Sequence, residues 1–280
     1  MLSYRHAFHA GNFADCLKHT LLLQLLDGLN RKDKPWLALD THAGAGLYEL
    51  GAAQAQKTGE YRDGIARLWS RADLEPELAA YVAAVRSENP DGRLSRYPGS
   101  PALIRQRLRD RDRLIACELH PGDQPSLKAL FAADRRIAVH KRDGYEAAGA
   151  FLPPPERRGL LFVDPAYELA GEFERLLKLV GQVHRRWREG TVAIWYPILD
   201  RAPSERFCRA LAASGVPALL RIELGLAPYH TPLGMKGSGV IVCNPPYQLD
   251  VAARRWLAQL QGILSDSGSG ETRVEWLTTA

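Results

Sequence analysis

Apolar residues along the chain fall into two alternating kinds of run. Short, nearly unbroken runs at 36–40, 114–117, 137–140, 160–163, 191–196, 219–224 and 240–243 read as strands covered on both faces. Longer stretches between them repeat their apolar residues at helical spacing. The first covers 12–30, where Phe13, Leu17, Leu21, Leu22, Leu25, Leu26 and Leu29 make one stripe. Others cover 125–133, 172–187 and a stretch after Pro203, and one begins at Ser100-Pro101, where a serine N-cap precedes a first-turn proline. This alternation predicts an α/β fold with a mostly parallel, seven-stranded sheet. Residues 47–98 break the pattern with helical segments at 61–70 and 76–87 and with Pro/Gly-rich turns such as ENPDG. They are expected to form a small helical insertion inside a single domain spanning 1–280.

Ligands of open α/β sheets sit where parallel strands end, so the residues there carry the candidate chemistry. The first strand runs into Thr41-His42-Ala43-Gly44-Ala45-Gly46, where Gly44 and Gly46 let a ligand approach the backbone. A dinucleotide fingerprint would place Gly or Ala three positions past the second glycine, but Glu49 stands there, which disfavours an NAD enzyme. The acid before His42, followed by AGAG, looks like a loop for S-adenosylmethionine. The second strand ends in Glu118, placed to hold ribose hydroxyls. The third ends before Asp143-Gly144, where Asp143 could accept from an adenine amine. The Ser100 helix offers free N–H groups to a carboxylate.

The fourth strand ends in Asp164-Pro165-Ala166-Tyr167, which resembles the Asp/Asn-Pro-Pro-aromatic motif of amino-group methyltransferases. An exocyclic amine is a poor nucleophile, and methylating it builds positive charge on nitrogen. The Asp164 carboxylate and the Pro165 carbonyl can accept its two hydrogens and stabilise that charge, while Tyr167 stacks on the base. Ala166 stands where a second proline is usual, which loosens the loop but keeps both acceptors. Asn244-Pro245-Pro246-Tyr247 matches the motif more closely. Only 33 residues follow it, however, too few for three more strand–helix units of about 30 residues each. It belongs instead to an antiparallel seventh strand whose end lies on the sheet edge away from the cofactor, which makes Asn244 a turn residue.

Composition narrows the class. The 280 residues are 46% apolar and 25% charged, and no apolar run approaches membrane-spanning length. The polar N-terminus has no signal-peptide core, so a cytoplasmic protein is expected. Cys16, Cys117, Cys208 and Cys243 form no CxxC pair, and His6 and His9 have no further ligands nearby, so no metal is expected. A net charge of +5 suits a polyanionic partner. Tyr4, Arg5, Lys18 and, in the Gly/Pro-rich loop before the seventh strand, Lys236 are candidate RNA contacts.

Across nearly its whole length the chain resembles the RlmJ family of bacterial methyltransferases, which act on adenine N6 in 23S ribosomal RNA. The resemblance lies in YRHAFHAGN, KHT, LDTHAGAG, TGEYRDGI, YPGSP, ELHP, DGY, DPAY, WYP and the GSG–NPP ending. It implies a Rossmann-like class I methyltransferase fold, S-adenosylmethionine as cofactor and 23S rRNA, naked or in an early assembly intermediate, as partner of a monomer. It implies that His19, His42, Ser100, Glu118, Asp143, Gly144 and Asp164 surround the cofactor or the target amine, that Asp164 is the catalytic acceptor, and that Tyr4 meets RNA. The other readings are a methyltransferase for DNA adenine or a protein amide, and a non-catalytic RNA-binding protein on the same scaffold.

Overall fold

The computed structural model describes residues 4–168, 170–226, 234–265 and 270–279. In chain order the elements are α1 (Phe13–Asn30), β1 (Leu37–Asp40), β2 (Leu47–Glu49), α2 (Ala53–Thr58), α3 (Ile65–Trp69), α4 (Pro76–Arg86), β3 (Arg96–Pro98), α5 (Ser100–Arg105), β4 (Arg113–Cys117), α6 (Gln124–Leu130), β5 (Ile137–His140), α7 (Gly144–Phe151), β6 (Gly159–Val163), α8 (Glu172–Arg186), β7 (Thr191–Ile198), α9 (Arg201–Ala212), β8 (Leu219–Gly225), β9 (Gly237–Cys243), α10 (Leu249–Leu264) and β10 (Thr272–Thr278).

Eight strands form the main sheet in the order β10-β8-β9-β7-β6-β1-β4-β5. The run β7-β6-β1-β4-β5 is parallel throughout, and β9 runs antiparallel to both β7 and β8. The seven expected strands are all present, with the last antiparallel. An eighth, β10, adds antiparallel to β8 at the sheet edge. It, α7 and α10 are elements of the main fold that the sequence reading did not anticipate.

Alternation inside each strand divides the core in two. In β6, Leu160 and Phe162 join a cluster with α1, α4 and α10, while Leu161 and Val163 join α8 and α9 on the other face. All four are at most 1% exposed, as a strand covered on both sides requires. Residues 47–98 hold α2, α3 and α4, and also a two-stranded ribbon of β2 and β3 that the helical reading left out. The ribbon delivers Gly99 beside the loop after β1, where its N–H donates to Gly46 O at 2.9 Å.

Candidate active site

Four neighbouring parallel strands finish on, or one turn before, an acid: Asp143 after β5, Glu118 after β4, Asp40 on β1 and Asp164 after β6. Parallel strand ends share one edge of the sheet, so sequence-distant carboxylates are brought into one row. A cavity along that row is lined by His19, His42, Gly44, Ser100, Glu118, Asp143, Gly144, Asp164, Pro165 and Tyr167. Of the expected cofactor residues only Gly46 is absent from the lining. Its left-handed backbone (φ 82°) turns the loop, and a Cβ there would press on Leu130 at 2.8 Å.

The loop after β1 is fixed from both sides. Gly44 N donates to Glu118 Oε2 at 2.7 Å, and His120 N donates to Oε1 at 2.6 Å. Burial raises the Glu118 pKa, and these amide bonds act in the opposite sense. Gly44 has φ 60°, and a Cβ would stand 2.1 Å from Tyr48 Oη, which itself accepts from Ala45 N at 3.1 Å. Gly144 is needed for space, since a Cβ would lie 2.4 Å from Thr41 O.

Asp143 caps α7, accepting from Tyr145 N at 2.8 Å and Glu146 N at 3.2 Å, and its second oxygen takes Arg175 at 3.2 Å. Burial lowers His42 to a pKa of about 4 and His19 to about 3, so both imidazoles are neutral at pH 7. His19 Nδ1 is 2.6 Å from the Tyr97 hydroxyl.

Ser100 does not cap its helix. Gly99 holds that position, and the Ser100 hydroxyl donates to Asp40 Oδ2 at 2.7 Å. Asp40 is fully buried, and burial lifts its pKa to about 7. It sits behind the loop rather than in the lining.

Asp164 stands where the inner cavity meets a second, outer one. Tyr4, His6, Lys18, Asp164, Ala166, Tyr167 and Trp195 border both. The outer cavity is the larger, about 760 Å³ against about 230 Å³. Lys18 Nζ lies 2.6 Å from Asp164 Oδ2 and 2.8 Å from Asp15 Oδ1, with the lysine side chain 4% exposed. Burial works against its charge, but the two carboxylates outweigh it and hold the pKa above the ordinary lysine value. Lys18, a candidate RNA contact from the sequence, is an internal ion-pair partner that bridges α1 to the end of β6 and borders both cavities. Asp15 and Lys18 fall in the same stripe as Leu22 and Leu25, a placement that marks a charged pair within the apolar face of α1.

Tyr167 has a left-handed backbone (φ 53°), uncommon for a residue with a side chain. Its hydroxyl donates to Trp195 O at 2.8 Å, and its ring leans on Phe173 and Trp195 with centroids 5.3 and 5.7 Å away. The ring is thus held in the passage between the cavities. Strain of this kind, about 1–3 kcal/mol, persists where surrounding contacts over-determine the backbone.

The N-terminal segment closes the outer side. Tyr4 stacks on His9 at 5.4 Å, and its hydroxyl is 2.9 Å from His6 Nδ1. His6 Nε2 meets Asp15 Oδ2 at 3.0 Å, and His9 Nδ1 meets Glu60 Oε1 at 2.8 Å. Among the described residues no group of His, Cys, Asp and Glu is placed to hold a metal, and no helix is long and apolar enough to cross a membrane. Arg5 reaches Asp123 at 3.3 Å. Lys236 N donates to Ile198 O at 2.9 Å, and residues 227–233 of its loop lie outside the described residues.

Asn244 lies at the opposite end of the sheet. Cys243 pairs with Val192 near the start of β7, Asn244 Nδ2 donates to Glu189 O at 2.9 Å, and Asn244 takes φ 53° in a turn.

Comparisons with known proteins agree with this geometry. Residues 33–278 match the family model described as ribosomal RNA large subunit methyltransferase D, RlmJ. The chain is 44% identical over 277 residues to ribosomal RNA large subunit methyltransferase J of Escherichia coli and 42% identical over 279 residues to that of Haemophilus influenzae, covering 99% of each chain in both cases. A crystal structure of protein LPL1258 from Legionella pneumophila superposes with a TM-score of 0.89 at 36% identity, covering 96% of this chain and 98% of that one. An acid-tipped parallel sheet, a glycine loop and full-length similarity lead to one assignment: the chain belongs to the RlmJ family of large-subunit ribosomal RNA methyltransferases.

Proposed function

We propose that the chain transfers a methyl group from S-adenosylmethionine to the N6 amine of an adenine in 23S rRNA, acting in the cytoplasm. The observation that carries this reading is the position of Asp164 at the junction of two cavities, with one carboxylate oxygen held by Lys18. The donor set of the inner cavity fits the cofactor. Glu118 and Asp143 suit ribose hydroxyls and an adenine amine, neutral His42 leaves the sulfonium unopposed by a second cation, and Gly44 lets the ligand approach the backbone.

S-adenosylmethionine brings an already activated methyl group, so the chain's residues supply alignment and charge stabilisation. The larger outer cavity takes the target base once it has left its stack. Lys18 fixes Asp164 Oδ2, which leaves Oδ1 to accept one amine hydrogen while the Pro165 carbonyl accepts the other. As positive charge grows on nitrogen, both acceptors stabilise it and the departing proton passes to Asp164. The Tyr167 ring, tied through its hydroxyl to Trp195, offers its face to the base. Tyr4, at the rim of both cavities, is placed to meet the RNA.

The test is mass spectrometry of 23S rRNA nucleosides from cells with and without the protein, together with methyl transfer to naked 23S rRNA and to DNA. Loss of N6-methyladenosine in the deletion and transfer to rRNA alone is the expected result. Transfer to DNA, or to neither nucleic acid, would overturn it.

A further inference from the structure

The motif left unused by this reaction sits at the far end of the sheet. Asn244-Pro245-Pro246-Tyr247 follows β9, which runs against its neighbours and so ends where the parallel strands begin. Thr191 Oγ1 donates to Asn244 O at 3.0 Å, and Gly28 of α1 lies so close that a Cβ would be 3.0 Å from Pro246. These contacts fix the corner, yet Tyr247 projects from it 80% exposed. Among the described residues it is the most exposed of the large apolar side chains.

Cations surround that corner. The loops entering the neighbouring strands β7, β6 and β1 carry Arg188, Arg157 and the pair Lys32 and Lys34, all exposed and, among the described residues, in no ion pair; of the acids beside them, Asp33 is taken by Arg111 and Glu189 is exposed. The loops are knitted into one surface. Trp187 Nε1 donates to Arg157 O at 2.9 Å, and the Arg158 guanidinium donates to Lys34 O at 2.7 Å. Arg157 keeps a left-handed backbone (φ 56°) that glycine would adopt more easily. At the catalytic end the cations that border the cavities are already matched, Lys18 with Asp15 and Asp164 and Arg175 with Asp143, as is Arg5 with Asp123 beside them. Exposed aromatic surface and unmatched positive charge therefore coincide on the face remote from the chemistry.

We propose that this face is a second RNA-binding surface, on which the cations take phosphates and Tyr247 stacks on an unpaired base. The inference rests on the reading of the chain as an rRNA methyltransferase. Helix α1, 18 residues long, spans about 27 Å from the Lys18 end toward this corner. An RNA reaching both faces at once must fold back around the protein, so a folded rRNA domain engages this surface and a hairpin cut around the target adenine does not.

The test compares the wild type with Arg157→Glu/Arg188→Glu and with Tyr247→Ala, using transcribed 23S rRNA and a hairpin carrying the adenine that mass spectrometry identifies. The charge reversal is expected to weaken binding of the long RNA about tenfold and to lower its log–log salt slope by about two. Tyr247→Ala should weaken it without changing the slope, and methylation of the hairpin should be unchanged in both variants. Wild-type affinity and slope for the long RNA, or equal losses on both RNAs, would overturn the proposal. Retained RNA affinity with lost association to pre-ribosomal particles would assign the face to a protein instead. Thermal melting confirms that the variants are folded. If the wild type methylates neither RNA, the proposed reaction fails and not this surface.

Discussion

The Lys18 ammonium lies 2.6 Å from Asp164 Oδ2 and is buried between that carboxylate and Asp15. A cation placed there ties the two acids together and fixes one Asp164 oxygen at the site proposed to accept the amine hydrogens.

Removing it should be costly in two ways. Lys18→Met leaves Asp15 buried without its cation, a change expected to destabilise the fold by about 3–5 kcal/mol. It also frees Asp164 to rotate, so turnover should fall by about 100-fold or more even at temperatures where the variant is folded. Urea unfolding and single-turnover transfer measure the two effects separately.

Asp164→Ala should reduce turnover by about 100- to 1000-fold while S-adenosylmethionine still binds, since the inner cavity keeps Glu118, Asp143 and the glycine loop. Calorimetry and a transfer assay on one preparation check both halves. Asn244→Ala should leave turnover unchanged, and a loss there equal to that of Asp164→Ala would contradict the assignment of the catalytic end.

Gly44→Ala places a methyl group 2.1 Å from Tyr48 Oη on a backbone with φ 60°. The left-handed backbone alone costs on the order of 1–2 kcal/mol, and the loop must shift away from Glu118. Cofactor affinity should fall about tenfold, readable by calorimetry.

The strands were legible because both faces of the parallel sheet are buried, which writes them as unbroken apolar runs. The acids at their ends were legible for a topological reason, since parallel strands bring their C-terminal ends to one edge. Partners were harder to read. Lys18 resembles any helix lysine until its place in the apolar stripe is noticed, and Ser100 followed by proline looks like a helix cap, although its hydroxyl turns to Asp40. The strand β10, TRVEWLT, alternates charged and apolar residues, and α10 carries Arg254 and Arg255 in mid-helix, so neither shows the dense apolar run that marked the rest.

Asp40 gives the fold a pH dependence of unusual sign. Its folded pKa, about 7, lies above the unfolded value of about 3.9, so between these limits the native state holds a proton that the unfolded chain has released. Its contribution therefore declines as pH rises from about 4 to 7. His19 acts oppositely: with a folded pKa of about 3, its contribution is complete above about 6.5 and is lost as pH falls. Asp40→Asn should gain on the wild type in melting temperature as pH rises from 5 to 7 and level off above it. A difference independent of pH would reject the assignment.

Arg221, 2% exposed, pairs with Glu223 at 2.6 Å, Glu205 at 2.8 Å and Glu275 of β10 at 3.0 Å. Arg221→Met should destabilise the protein by about 3–5 kcal/mol, because it removes the buried cation that three carboxylates share. Chemical denaturation at pH 7 measures the loss.

The proposed catalytic junction joins two residues 146 positions apart, Lys18 near the N-terminus and Asp164 beyond mid-chain. Neither half of the polypeptide contains a working centre. A growing chain on its own ribosome has made the lysine long before the aspartate exists, and it stays chemically silent until more than half of it has been synthesised and α1 has docked on β6.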